Sequence, residues 1–236
     1  LKTLVAGDEF FGQRALVIGG SRGLGEVSAK LLAAGGASVK ITYHQGAQDV
    51  RRVVNEIVAG GGVADSLCLD VLNEQRNLVD CLGDGWNPTH LYYFATPFIA
   101  LGTRVFSASL FQKFCDYYVT GFQRVVEQLK VVGLEGVFYP SSIFVDELPP
   151  GMGEYVAAKM AGETLCAFME KTHKHIVFYK SRLPRMATDQ AASIMPVNVA
   201  KPAPIMLEHL RAFKGISVSR RVGSKQEETV VLPGNG

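Results

Sequence analysis

Ala15-Leu-Val-Ile18-Gly19-Gly-Ser-Arg-Gly23-Leu-Gly25-Glu26 is the stretch that decides the fold. Its run of apolar residues reads as a buried strand, its glycines as a turn, and the pattern from Glu26 to Ala34 as a helix. Strand, glycine-rich turn and helix in that order form the context a dinucleotide site requires. Glycine lets the backbone take angles closed to other residues and lets a pyrophosphate come close. The helix N-terminus then turns its free N–H groups toward that anion. Gly19, Ser21, Arg22, Gly23, Leu24 and Gly25 are the candidate phosphate-binding residues.

Working outward, Ala37 to His44 predicts a second strand that ends at Tyr43 and His44. An acidic side chain at this point would accept hydrogen bonds from the ribose of NAD. None is present. Arg22, a planar cationic fork, and His44, a ring N–H donor, suit a 2'-phosphate, so NADP(H) is the expected cofactor. Asp49 to Ala59 reads as an amphipathic helix with Val50, Val53, Val54, Ile57 and Val58 inward, stopped by Gly60-Gly-Gly62. Val63 to Leu69 is the third strand and closes on Asp70-Val71. The Asp70 carboxylate either accepts from the adenine amino group or caps a helix over Asn73 to Leu82, and both readings stay open. A loop at Trp86 leads to a fourth strand, Thr89 to Ala95, and then to a long helix from Leu110 to Val132. Val137 to Ser142 and Ile176 to Tyr179 complete six strands. This alternation predicts an α/β fold, a Rossmann-type doubly wound parallel sheet in a single domain, with its site at the C-terminal strand ends.

A second cluster lies in Gly151-Met-Gly-Glu-Tyr155-Val-Ala-Ala-Lys159. Tyr155 and Lys159, four apart on a helix, share a face, so an ammonium beside the phenol would ease its ionisation. A hydroxyl from Ser141 or Ser142, at the end of the preceding strand, can hydrogen-bond the same reacting oxygen.

Taken together, Gly19-x-x-x-Gly23-x-Gly25, Asp70-Val71, Ser142 and Tyr155-x-x-x-Lys159 resemble the short-chain dehydrogenase/reductase family over about Gln13 to Thr188. The resemblance implies that Tyr155 is the general acid or base, that Lys159 lowers its pKa and holds the nicotinamide ribose, and that Ser142 orients the substrate oxygen, with Ser141 as the alternative. It also implies that Ala95, Pro184 and Thr188 lie along the cofactor. Four positions depart from the family pattern: Ile18 stands for a Thr, Phe94-Ala95-Thr96 for Asn-Ala-Gly, Tyr118 for a catalytic Asn, and Arg185 for the Gly of a Pro-Gly turn. Thr120 or water is the expected substitute for the Asn.

Composition narrows the function classes. With 236 residues, 47% hydrophobic content and a net charge of +2, the chain suits one full core, and nothing in its charge points to nucleic acid or an anionic membrane. Cys68, Cys81, Cys115 and Cys166 show no metal-ligand spacing and read as reduced, buried thiols of a cytoplasmic protein. Residues 13–188 form the core, 189–214 are expected to cover an apolar substrate or to make a rigid connection, and 219–236 to end in an edge strand, Thr229 to Leu232, or a tail. The absence of Met at Leu1 is compatible with a trimmed chain or a domain of a larger protein. A homo-oligomer is the family default. Three functions stay open: an NADPH-dependent reductase of small-molecule ketones, a ketoreductase domain acting on acyl thioesters in a carrier-dependent assembly line, and a dinucleotide-binding or scaffold module with weakened catalysis.

Overall fold

The structure is a computed structural model, and it describes residues 3–83, 85–99, 105–186 and 201–228, with side chains up to Ser219. The strands are β1 (Arg14–Ile18), β2 (Ser38–Tyr43), β3 (Val63–Cys68), β4 (His90–Tyr93), β5 (Gly136–Ser142) and β6 (Val177–Leu183). They pair in the order β3-β2-β1-β4-β5-β6, every pair parallel. Period-two alternation sends side chains to two separate cores. Leu16, Ile18, Leu91, Tyr93, Val137 and Tyr139 enter one, while Ala15, Val17, Tyr92 and Phe138 enter the other. The chain reverses across β1, since β2 and β3 lie on one side of it and β4 to β6 on the other. Such a switch point opens a crevice at the C-terminal strand ends.

Helices α1 (Gly23–Ala34), α2 (Ala47–Ala59) and the long α8 (Pro202–Glu228) cover the second core. The first is covered by α3 (Leu78–Cys81), α4 (Ala108–Cys115), α5 (Phe122–Leu129) and α7 (Gly153–Thr172), with the short α6 (Phe144–Glu147) at the site. Residues 3–12 pack rather than pair: Val5 and Phe10 are buried in the second core, and Arg211 and Lys214 of α8 bond to Glu9.

Several expectations are corrected. In α2 Val50, Val53 and Ile57 are buried, Val54 is half-buried and Val58, at the edge of the stripe in the last turn, is exposed. The helix expected from Asn73 shrinks to Leu78–Cys81, capped by Asn77, whose side chain accepts from the Val79 N–H at 3.1 Å. The long helix expected over Leu110–Val132 is present as one uninterrupted helical run from Ala108, made of α4, a π-helical turn at Asp116–Gly121, α5 and a final 3-10 turn. The short helix expected over Ile205 to Phe213 instead runs from Pro202 to Glu228, so the polar segment from Ser219 is helical rather than a tail up to that point. Of the cysteines only Cys166 is buried, Cys68 is exposed, and all four are free. Thr188, residues 189–200 of the cover expected over 189–214 and the strand or tail at Thr229 to Leu232 lie outside the described residues.

Candidate functional site

The glycine turn is built by close approach. Gly19 has φ 74° and Gly23 φ 60°, angles that favour glycine. A Cβ on Gly19 would stand 2.9 Å from the Ala95 nitrogen, and one on Gly25 2.4 Å from the Gly19 carbonyl oxygen. The turn therefore lies against the end of β4 at Phe94-Ala95. The hydroxyl missing at Ile18 comes from the neighbouring strand: the Gly19 N–H donates to Thr42 Oγ1 at 3.2 Å and the Gly20 N–H to the Thr42 carbonyl at 3.1 Å. Reading the motif alone misses Thr42, because its partner glycine is 23 residues away. Phe94, where the resemblance leads one to expect Asn, donates its N–H to the Ile18 carbonyl at 2.8 Å and packs its ring on Phe138.

At the far end of the crevice Arg22 is exposed at the N-terminus of α1, with Nε 3.6 Å from Asp49 Oδ2. His44 Nε2 stands 3.9 Å from Asp70 Oδ2. Tyr43 is the last residue of β2 and Val71 is buried, its carbonyl accepting from Arg124. The capping alternative for Asp70 is not realised. Its Oδ1 accepts the Leu72 N–H at 2.9 Å in a local turn, several residues before α3 begins. These groups fit a phosphorylated dinucleotide. Glycines let the backbone approach, the α1 N-terminus faces the turn, and the exposed pair Arg22–Asp49, worth at most about 1 kcal/mol, can give way to a bidentate phosphate contact.

At the other end, β5 separates its two serines. The Ser141 hydroxyl donates to Glu163 of α7, which Arg182 also holds with Nε 2.9 Å from Oε1. Ser142 acts on the Tyr155 phenol, pulling its pKa down, and its Oγ accepts the Phe144 N–H at 3.2 Å. Ser142 rather than Ser141 is thus the serine at the phenol. Tyr155 is 9% exposed, and burial pushes its pKa up to about 12 against the downward pull of Ser142. Its ring meets Phe114, Tyr118 and Phe144 edge-on, at centroid distances of 5.6, 5.8 and 6.3 Å.

Lys159 departs from the expected arrangement. Its Nζ donates to the Pro140 carbonyl at 2.7 Å and lies 3.9 Å from the centroid of the Tyr118 ring, against 5.9 Å for Tyr155. The lysine and the phenol share a helix face, but the ammonium does not reach the phenolic oxygen and does not lower its pKa. Burial instead pushes Lys159 down to about 7, with Cys166 and Glu163 pulling the other way. Thr120 does not stand in for the Asn. It is exposed, and its hydroxyl donates to the Asp116 carbonyl at 3.0 Å. Tyr118 directs its hydroxyl to Thr96. Exposed Pro184 follows β6, and Arg185 bonds Glu147 at 2.7 Å while lying 4.8 Å over the Phe144 ring.

The lysine supplies a pH signature. Between about pH 7 and its unfolded value near 10.5 the unfolded chain binds a proton that the folded chain does not, so stability rises with pH there and is flat below 7. Cys166 and Tyr155, both raised to about 12, subtract stability only above their unfolded values of about 9 and 10. Melting temperatures from pH 6 to 9 are expected to rise above pH 7 relative to Lys159→Met. Parallel curves would contradict the assignment.

Exposed apolar side chains flank the start of α7. Phe106 and Leu148 are 56% and 65% exposed; Leu148 holds a left-handed φ of 46°, and Phe106 lies 3.6 Å from where a Gly153 side chain would begin. Among the described residues no cluster of His, Cys, Asp and Glu could hold a metal, and no helix is long and apolar enough to cross a membrane.

No family model matches the chain. Over 62 residues it is 42% identical to an uncharacterized oxidoreductase, YgfF, of Escherichia coli (strain K12), and over 61 residues 44% identical to a 3-oxoacyl-[acyl-carrier-protein] reductase of Synechocystis sp. (strain ATCC 27184 / PCC 6803 / Kazusa). Each match covers 26% of this chain and 25% of the relative. Among solved structures it is similar to a short chain dehydrogenase from Burkholderia cenocepacia J2315 in complex with NADP, with a TM-score of 0.75 and 25% identity over 84% of this chain and 89% of that one.

Proposed function

The chain has the fold of the short-chain dehydrogenases/reductases, and from that premise we propose that it is an NADPH-dependent reductase of carbonyl compounds with an apolar body. One observation carries the reading. The hydroxyls of Ser142 and Tyr155 act on each other at the C-terminal end of β5, on the sheet end where the Gly19–Gly25 turn meets β4. In this reading Gly19, Ser21, Gly23, Leu24 and Gly25 hold the pyrophosphate. Arg22, Tyr43 and His44 take the 2'-phosphorylated ribose, Asp70, Val71 and Ala95 line the adenine and central groove, and Pro184 lies toward the nicotinamide. When bound, the cofactor supplies the hydride.

The chain's own residues do the rest. Tyr155, neutral throughout the physiological range because burial raises its pKa, donates a proton to the carbonyl oxygen. Ser142 gives that oxygen a second hydroxyl contact and keeps the phenol aimed. Phe106, Phe144 and Leu148 shield the reacting atoms from water and receive the apolar part of the substrate. Lys159, withdrawn onto Pro140, favours a second reading in which the fold binds dinucleotide but turns over slowly.

Purified protein is to be tested for NADPH oxidation with a panel of aliphatic and aryl ketones and β-keto thioesters. Reduction of apolar ketones supports the first reading. NADPH binding with no reduction at any pH supports the second, and preference for thioesters the assembly-line alternative. Arg22→Ala is expected to weaken NADPH about tenfold or more and NADH little, since it removes one charge-assisted phosphate contact. Equal loss for both cofactors, read by fluorescence titration, would remove the 2'-phosphate assignment.

A further inference from the structure

We propose that Tyr118 is a positioning residue: the face of its ring holds the Lys159 side chain against β5. The inference rests on the reading above, in which Lys159 belongs to the site.

A buried ammonium must replace its water with other partners. Lys159 has the Pro140 carbonyl at 2.7 Å on one side and the Tyr118 ring face, 3.9 Å to its centroid, on another. The negative face of an aromatic ring attracts a cation most strongly where water is excluded, as it is here. The Tyr139 ring, at 5.2 Å, and the Tyr155 ring, at 5.9 Å, are too far for comparable effect. Tyr118 is itself locked. Its hydroxyl lies 2.5 Å from Thr96 Oγ1, its ring stacks on Phe114 at 5.8 Å and 8°, and its carbonyl accepts the Tyr139 hydroxyl at 3.2 Å.

The backbone explains how so large a side chain occupies this place. The π-helical turn Asp116–Gly121 adds a residue to the turn and shifts Tyr118 relative to a regular helix. A Cβ at Gly121 would meet the Asp116 carbonyl oxygen at 2.8 Å, so the turn depends on glycine there. Thr96 also donates to the Pro97 carbonyl at 3.0 Å, in the segment that the glycine turn abuts.

The other groups that act on Lys159 are fixed across the test range. The titratable and charged groups facing Lys159 are Glu163 and Cys166 on its own helix, with Lys180 of β6 near Cys166, and of these Glu163 pulls its pKa up. Glu163 is held ionised by Arg182, and Cys166 stays a thiol because burial raises its pKa. Tyr139 of β5 stays neutral for the same reason, as does Tyr93 of β4 behind it. From pH 5 to 8.5 the lysine is the group in this pocket that changes charge.

The test replaces the ring without changing its shape. The onset of the pH-dependent rise in melting temperature, taken relative to Lys159→Met, reports the folded lysine. Tyr118→Phe keeps a negative ring face and should leave the onset within about 0.3 pH units of wild type, as should Thr96→Val. Pentafluorophenylalanine at position 118, which reverses the charge distribution of the face, should lower the onset by roughly one pH unit. Tyr118→Leu should do the same if it folds. An unchanged onset with the fluorinated ring would overturn the hold, and a shift as large with Tyr118→Phe would place the effect in the hydroxyl rather than the ring. These measurements use neither cofactor nor substrate. Their failure is thus distinct from a failure to reduce ketones, which would overturn the proposed function instead.

Discussion

Tyr155→Phe is expected to lower the rate of carbonyl reduction about 10³-fold while leaving NADPH affinity within a factor of about three. In the proposed reaction the proton comes from this phenol, which is buried and acted on by Ser142. The ring contacts to Phe114, Tyr118 and Phe144 survive the change, and with them the shape of the pocket. Removing one buried hydroxyl that Ser142 acts on should cost about 1 kcal/mol of stability, too little to unfold the chain. Single-turnover measurements at saturating NADPH read the chemical step directly. Full activity in the variant would transfer the proton to another group and remove Tyr155 from its assigned role.

Gly162→Ala should be the most damaging change in α7. A Cβ at this position would stand 1.9 Å from the Tyr139 hydroxyl oxygen, 2.6 Å from its Cζ and 3.0 Å from the Tyr118 carbonyl oxygen. Alanine is better than glycine in a helix by about 1 kcal/mol, but the clash meets two tyrosines locked in the core. Overpacking and loss of the Tyr139–Tyr118 bond outweigh that gain, and a net destabilisation of about 2–4 kcal/mol follows. For a chain of this size that corresponds to a fall in melting temperature of roughly 4–16 °C. Thermal unfolding followed by circular dichroism checks it, and a variant as stable as wild type would show that the helix and strand can part there at little cost.

These two positions illustrate what a sequence makes visible and what it hides. The β1–turn–α1 unit was legible because a glycine-rich turn between an apolar run and a helix is a local pattern with a physical cause. The six-strand parallel order followed from alternation of strands and helices, and the structure has that order. Tyr155 and Ser142 were legible as partners because one lies on a helix and the other at the strand end before it. The lysine's direction was not. Helix spacing fixes which face Lys159 takes, but the Pro140 carbonyl and the Tyr118 ring come from distant segments and decide where its Nζ goes. Thr42 was hidden for the same reason, its hydroxyl serving a glycine across the sheet.

Other misses have local explanations. Apolar periodicity continues unbroken from Leu110 to Val132, so it cannot register the extra residue of a π turn, which Tyr118 and Gly121 reveal only in three dimensions. The α8 helix extends through a polar segment with little apolar patterning, where composition favours a loop. Asp70 could equally have capped a helix or faced a ligand, until the start of α3 at Leu78 separated them.

The central claim is tested most directly by a crystal structure with NADP⁺ bound. The account predicts the pyrophosphate on the Gly19–Gly25 turn, the 2'-phosphate at Arg22, and the nicotinamide ring within van der Waals reach of the Tyr155 hydroxyl. A nucleotide bound elsewhere, or a nicotinamide kept from Tyr155 by the protein's own side chains, would contradict it.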